Sequence, residues 1–380
     1  MPDRGSLSAL FLSANTPWVY ALAQSLARSI PVTAVRSYDW VNYVRLRPQW
    51  PEVASSVSRV SWTMPPGYVG AFSPAFSPLM KSMVDQERRT LLKKSGDLPL
   101  TICPYPYLTP WVRHVPQAKL VYYNLDEYRF YEPSKTVQIL RLERELVQRA
   151  GLTLCLSLHQ VNTLRERYPF AESRIRHFPL GVVPQFINPE PGAAPLPKSV
   201  GYVGNLTNRV DWSFVAAVAR QLPEITFYFV GRLDVPGVAT TELLWRKHRD
   251  EALALANVCY VGEVAQPNVH EHYWRYSVNW MPYDVKNEFN IAACPTKIMD
   301  ALASGRPFVS TPVPEIRLYP DHVACVNSPS EAVALLQRIF GARVPHDATR
   351  QVEFAASNTW DHKAREFLDI VEEALKAFNN

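Results

Sequence analysis

Lys297 and Asp300, three residues apart in Pro295-Thr296-Lys297-Ile298-Met299-Asp300, bring a cation and a carboxylate to one face of an expected helix. A lysine in a first helical turn, where free N–H groups and the helix dipole already favour an anion, suits a phosphate. A carboxylate one turn later accepts hydrogen bonds from two hydroxyls and suits a sugar diol. Phosphate on Lys297 and ribose on Asp300 would together describe a nucleotide diphosphate. An i,i+3 surface ion pair is the plainer alternative, and spacing alone does not separate the two.

Other residues with chemical potential stand where strands are expected to end. Gly204, Asn205 and Arg209 lie in Gly201-Tyr202-Val203-Gly204-Asn205-Leu206-Thr207-Asn208-Arg209. There a glycine lets backbone approach a ligand and an arginine could reach a diphosphate, although a structural turn reads the same way. Asp126, in Asn124-Leu125-Asp126-Glu127, is a carboxylate at a strand tip that could take a proton from an acceptor hydroxyl, or could cap the loop. His159, after Ser157-Leu158, is the competing base. Asn15, Thr16 and Trp18 occupy the loop after the first expected strand, where acceptors would bind. His270 and His272 have H-x-H spacing, but on a helix they diverge, so no metal is expected.

The elements that must position these residues follow an α/β rhythm. Apolar runs at Leu7–Leu12, Val32–Val35, Lys119–Tyr123, Leu152–Leu156 and Arg174–Pro179 read as strands. Helical patterns stand between them at Val19–Arg28, Lys135–Ala150 and His159–Tyr168. Phe186–Pro197, rich in Pro and Gly, reads as a linker. The rhythm then restarts with strands at Ser199–Val203, Thr226–Val230, Val258–Val261 and Val278–Met281 and helices at Trp212–Gln221, Val269–Tyr276 and Pro329–Ile339. Pro295 opens a helix stopped by Ser304-Gly305-Arg306-Pro307, and Phe308–Thr311 is a short buried strand. The pattern predicts two doubly wound parallel sheets in an α/β chain. Their boundaries are residues 1–187, a linker at 188–197, and residues 198–359, with a final helix over 360–380.

The run PTKIMDALASGRPFVST resembles the donor-site helix of GT-B glycosyltransferases. That resemblance implies two Rossmann-like domains facing a cleft, with the last helix crossing back to the first domain. It assigns a nucleotide-sugar donor to the second domain and Thr296, Lys297 and Asp300 to its binding. Gly204, Asn205 and Arg209 match the Gly-rich turn and basic residue opposite that helix. The spacing of Glu263, Tyr283, Lys297 and Asp300 is similar to that of the uridine-diphosphate site of xanthan-type glucuronosyltransferases, which have Gln in the last position. Tyr122–Tyr128 resembles the YDxxDD strand end of acceptor domains in bacterial cell-surface glycosyltransferases. Ala292 stands where many retaining relatives have the first glutamate of E-x7-E, which leaves retention or inversion open.

Composition bounds the rest. With 380 residues, 47% hydrophobic and 20% charged, the chain is long enough for two globular cores. No apolar run approaches the ~18 residues of a spanning helix, and the N-terminus reads as a buried strand rather than a signal peptide. Five scattered cysteines without CxxC read as reduced thiols of a cytoplasmic protein. Residues 1–190 hold 22 Lys and Arg against 14 Asp and Glu (net +8), and residues 191–380 hold 18 against 21 (net −3). The basic half, in which aromatics interleave with Arg and Lys over residues 36–95, implies an anionic partner such as a membrane surface or phosphorylated acceptor. No nucleic-acid motif accompanies the charge. The expectation is a metal-independent, cofactor-free glycosyltransferase acting on a glycan or lipid-linked acceptor. It would be cytoplasmic or peripheral at the inner membrane face. A same-fold epimerase or a non-catalytic nucleotide-sugar-binding subunit are the alternatives.

Overall fold

A computed structural model describes residues 7–50, 56–69, 73–233 and 243–379. The chain divides into two compact units, Met1–Leu180 with Trp360–Asn380, and Gly181–Thr359.

The first unit runs β1 Ala9–Phe11, α1 Pro17–Leu26, β2 Val32–Asp39, α2 Trp40–Leu46, β3 Ser58–Met64, α3 Ser73–Ser95, β4 Leu100–Cys103 and α4 Thr109–Val112. It continues β5 Leu120–Asn124, α5 Thr136–Arg149, β6 Leu152–Cys155, α6 Leu158–Arg167 and β7 Ile175–His177. The seven strands form one parallel sheet in the order β3-β2-β1-β4-β5-β6-β7. Every residue of β4, β5 and β6 is buried, as befits strands covered on both faces by helices. The edge strand β3 shows the alternation of a half-covered strand: Trp62 and Met64 are buried while Ser61 and Thr63 are exposed.

The second unit runs β8 Leu196–Val203, α7 Trp212–Gln221, β9 Thr226–Val230, α8 Leu243–Leu253, β10 Val258–Gly262, α9 Val269–Arg275 and β11 Tyr276–Met281. There follow α10 Glu288–Ala292, α11 Lys297–Leu302, β12 Phe308–Ser310, β13 Ala324–Cys325, α12 Pro329–Phe340 and α13 Ala348–Ala356. Its six strands are parallel in the order β10-β9-β8-β11-β12-β13. The last helix, α14 Trp360–Asn379, belongs to the first unit, where Phe367 meets Phe178 edge-on and Asp361 pairs with Arg28. That placement agrees with the terminal helix the GT-B resemblance implied.

Sequence signals set several helix ends. Ser157 and Gln160 close a reciprocal capping box on α6, Asp211 caps α7 through Phe214 N–H at 2.9 Å, and Ser328 with Pro329 opens α12. Three expectations need correction. Residues 188–197 are not a free linker. Asn188 donates its backbone N–H to Ala303 O (2.9 Å) and its amide to Ser304 O (2.9 Å), Phe186 is in the second core, and β8 has begun by Leu196. The stretch 36–95 holds α2, β3 and the 23-residue α3, hidden from periodicity by Pro78 inside that helix. Residues 51–55 and 70–72 of it lie outside the described residues. The helix expected from Pro295 begins at Lys297 and has six residues.

Candidate functional site

Because all strands of a parallel sheet end on one edge, loops there converge, and in the second unit three end alike. Gly204, Gly231 and Gly262 follow β8, β9 or close β10 with φ of 145°, 142° and 98°, values an L side chain rarely adopts. The tips lock together through Gly204 N–H to Val230 O (2.7 Å) and Gly231 N–H to Gly262 O (2.8 Å). A Cβ on Gly231 would lie 2.1 Å from Gly204 O, and one on Gly204 would lie 2.1 Å from Lys297 Cε. Lys297 thus lies against bare backbone. A cavity of about 350 Å³ opens at this place, and its lining includes Gly204, Asn205, Glu263, Thr296, Lys297 and Asp300.

Six expected donor residues therefore share one cavity. Lys297 Nζ stands 5.7 Å from the ring centroids of both Tyr202 and Tyr283. No ion pair joins it to a carboxylate among the described residues. With α11 only six residues long, the positive charge here is the ammonium itself rather than a long helix dipole. Burial pushes the Asp300 carboxyl up to about 7, against the pull of Lys297. Burial, then the Asp300 charge, also raises the Tyr273 phenol, which lines the same cavity. Glu263 is engaged by Arg232, whose Nε donates to Oε1 at 2.6 Å.

Arg209 and Tyr283 stand behind this lining instead of on it. Arg209 Nε donates to Asn290 Oδ1 (2.8 Å), while the Asn290 amide donates to Arg209 O and Asp284 O. The Arg209 guanidinium lies 5.3 Å from the Tyr283 centroid, and its buried Nη2 has no hydrogen-bond partner. Burial raises the Tyr283 phenol, but Lys297 and Arg209 together outweigh it and hold it below the ordinary value. Two cations flanking one buried ring form a positive wall behind the cavity.

Sequence reasoning missed Gly231, Arg232, Gln266 and Tyr273 on the lining. The signal was present: Val203-Gly204-Asn205, Val230-Gly231-Arg232 and Val261-Gly262-Glu263 are three strand ends of the form Val-Gly-polar. A larger cavity of about 720 Å³, with Pro307, His322, Leu335 and Arg350 in its walls, lies elsewhere in this unit. It lacks the glycine tips and the cation–carboxylate pair, so we place the site at the smaller one. Among the described residues no group of three or more His, Cys, Asp or Glu is disposed to hold a metal ion. His270 Nδ1 lies 3.3 Å from the Gln185 amide and His272 Nδ1 3.1 Å from Tyr276 OH.

The first unit gathers its expected residues at the corresponding edge. Asn15 spends its amide as a brace: Nδ2 donates to Ser37 O (3.1 Å) and Oδ1 accepts from Ser37 N–H (3.2 Å) and Ser13 Oγ (3.2 Å). Asn15 thus holds the β1 and β2 ends together at the edge where an acceptor was expected. Burial raises the Tyr105 phenol, the Thr16 hydroxyl opposes and the Asp126 charge adds, so Thr16 and Asp126 flank one tyrosine. Trp18 is half-buried, its indole Nε1 without a partner. Asp126 Oδ1 accepts from Glu127 N–H at 2.9 Å and Oδ2 from the Tyr131 hydroxyl. Glu127 points inward, where Arg167 bridges it (3.0 Å) to buried Glu143 (2.7 Å), and Tyr168 OH also donates to Glu143 (2.9 Å). His159 sits on α6 with Nε2 3.4 Å from Thr163 Oγ1.

Residues 197–340 match the family model described as glycosyl transferases group 1. TuaH of Bacillus subtilis (strain 168), named for a glycosyltransferase of teichuronic acid biosynthesis, is 30% identical over 116 residues. The match covers 30% of this chain and 27% of that protein. HepE of Anabaena in complex with UDP and glucose is similar in structure, with TM-score 0.64 at 13% identity over 97% of this chain and 99% of that one. Sucrose-phosphate synthase of Thermosynechococcus elongatus gives 0.69 at 16% identity, over 98% and 100%. The chain thus has the GT-B fold of these glycosyltransferase structures, and its residues 197–340 match the group 1 glycosyl transferase model.

Proposed function

We propose that the chain moves a sugar from a nucleotide diphosphate donor, UDP-sugar favoured, to a hydroxyl of a glycan or lipid-linked acceptor in cell-surface polysaccharide synthesis. The observation that carries this reading is Lys297 lying against the side-chain-free tip at Gly204 in one cavity with Asp300. The bare backbone admits a diphosphate closely, Lys297 neutralises it as it leaves, and Asp300 accepts from the ribose hydroxyls. With that charge supplied by the protein, transfer needs neither metal nor cofactor. Arg209 and Tyr283 act from behind, as a charged wall rather than as direct ligands. The acceptor hydroxyl belongs to the first unit, with Asp126 as base. HepE, whose structures hold UDP, supports the uridine donor, and TuaH, by name, supports polysaccharide synthesis. The protein works in the cytoplasm, in peripheral contact with anionic membrane.

The test is nucleotide release from UDP-sugars with and without acceptor preparations. Release that depends on acceptor supports transfer. Binding without turnover would mark a binding subunit, and an altered sugar with no acceptor an epimerase.

The raised Asp300 carboxyl adds a pH test. Below about 7 it is protonated in the free protein and cannot accept from both ribose hydroxyls. Affinity for UDP-glucose, whose phosphates do not titrate near neutrality, should therefore be full above that value and fall as pH drops through it. Between roughly pH 8 and roughly pH 6 the loss is about tenfold. Isothermal calorimetry across that window reads it, and Asp300→Asn should flatten the profile.

A further inference from the structure

α2 is a helix without a buried residue. All seven residues from Trp40 to Leu46 are exposed, including Trp40 at 54%, Val44 at 71% and Leu46 at 61%. Seven residues are too few to hold a helix by propensity. Asp39 starts it by accepting from Asn42 N–H at 2.8 Å, and Arg47 ends it in the left-handed region. Five large apolar side chains therefore project from a short, anchored turn without any of them reaching the core of the unit.

The charge around this turn is net positive. Arg45 and Arg47 are exposed, and Asp39, the acid beside them, is occupied as the cap. Residues 36–95 carry nine Arg and Lys against four Asp and Glu. Trp and Tyr among aliphatics with arginines suit the headgroup level of a bilayer, where an aromatic ring has one apolar and one wet side. α2 also follows directly from β2, so it leaves the sheet at the edge where Asn15 braces Ser37 and Asp126 stands.

We propose that α2 docks the first unit on an anionic lipid surface. Trp40, Tyr43, Val44 and Leu46 enter the interface, and Arg45 and Arg47 meet lipid phosphates. The proposal deepens the acceptor side of the function above, since it holds the Asp126 edge where lipid-linked hydroxyls are presented. Its test needs neither nucleotide nor transfer, so the two readings can fail separately.

Co-sedimentation of the full chain with phosphatidylcholine vesicles, with and without phosphatidylglycerol, gives the readout. Binding should require the anionic lipid and weaken with salt. The triple variant Trp40→Ser, Val44→Ser, Leu46→Ser should bind at least roughly tenfold more weakly, because affinity scales with buried apolar area. Arg45→Gln and Arg47→Gln should each cost about fivefold at low salt. The triple variant should melt with the parent, since none of these side chains is buried. Equal recovery on neutral and anionic vesicles, or a triple variant that binds like the parent, overturns the proposal. A triple variant that keeps vesicle binding but loses an oligomer in sedimentation velocity overturns it too, and makes α2 a contact between copies.

Discussion

Asp126→Asn is expected to keep donor affinity and lose transfer by a factor of roughly 10²–10⁴. A hydroxyl is a poor nucleophile until its proton is taken, so an inverting transfer needs a base on the acceptor side. Asp126, the proposed base, accepts from the Glu127 N–H and the Tyr131 hydroxyl. Asparagine preserves the shape and the oxygen that accepts from Glu127 N–H, turns the Tyr131 contact over to an amide NH2 facing the phenol oxygen, and cannot take a proton. Donor affinity should not move, because the donor cavity is lined entirely by the second unit. Glu127 next door is already consumed by Arg167, so its removal would strand buried charge and report on the fold instead. Single-turnover rates and UDP calorimetry on the same preparation separate chemistry from binding. A near-normal rate for Asp126→Asn beside an inactive His159→Ala would move the base to His159. If both variants stay active, a retaining mechanism without an enzymic base becomes the account, despite Ala292.

Lys297→Ala should weaken UDP binding by about 1.5–3 kcal/mol, roughly 10- to 150-fold, with little change in melting temperature. The effect falls mainly on binding because Lys297 makes no ion pair with a carboxylate among the described residues, although the buried Tyr283 and Asp300 lose its charge. What stability does change comes from its place beside the Tyr202 and Tyr283 rings, an interaction of about 0.5–2 kcal/mol. Gly204→Ala tests the same geometry without removing charge. Its Cβ would fall 2.1 Å from Lys297 Cε at a φ of 145°, so Lys297 must swing away and affinity should fall with it. Calorimetry showing unchanged affinity in both variants would take the diphosphate away from this cavity.

Much of this protein could be read from periodicity. Many of the strands and helices from Leu120 onward are where apolar runs and caps put them, although α8, α10 and α13 were not expected. α7 and β9 match residue for residue, because buried parallel strands are continuous apolar runs that alternate with amphipathic helices. Lys297 and Asp300 were legible for a local reason, since three residues on a helix share a face whatever surrounds them. Gly204 and Asn205 were read from an expected strand end, and resemblance gave them weight and added Glu263. The elements before Leu100 were harder. Proline inside α3 and prolines on both sides of β4 interrupt the very patterns by which such elements are recognised.

Tertiary structure alone decided how these residues are used. Local sequence cannot tell that the Gly231 tip locks onto Gly204, that Arg232 takes Glu263, or that Asn290 draws Arg209 behind the cavity. Those partners come from positions 27 to 81 residues away, and competition for a charged side chain is settled only when the sheet edge gathers its loops. The raised carboxyl of Asp300 has the same origin, because desolvation is a property of the surrounding walls and not of the residue. α2 is the converse case. Its composition suggested an anionic partner for residues 36–95 at large, and only the folded sheet, which leaves α2 without a buried residue, singles out this turn as the exposed apolar part.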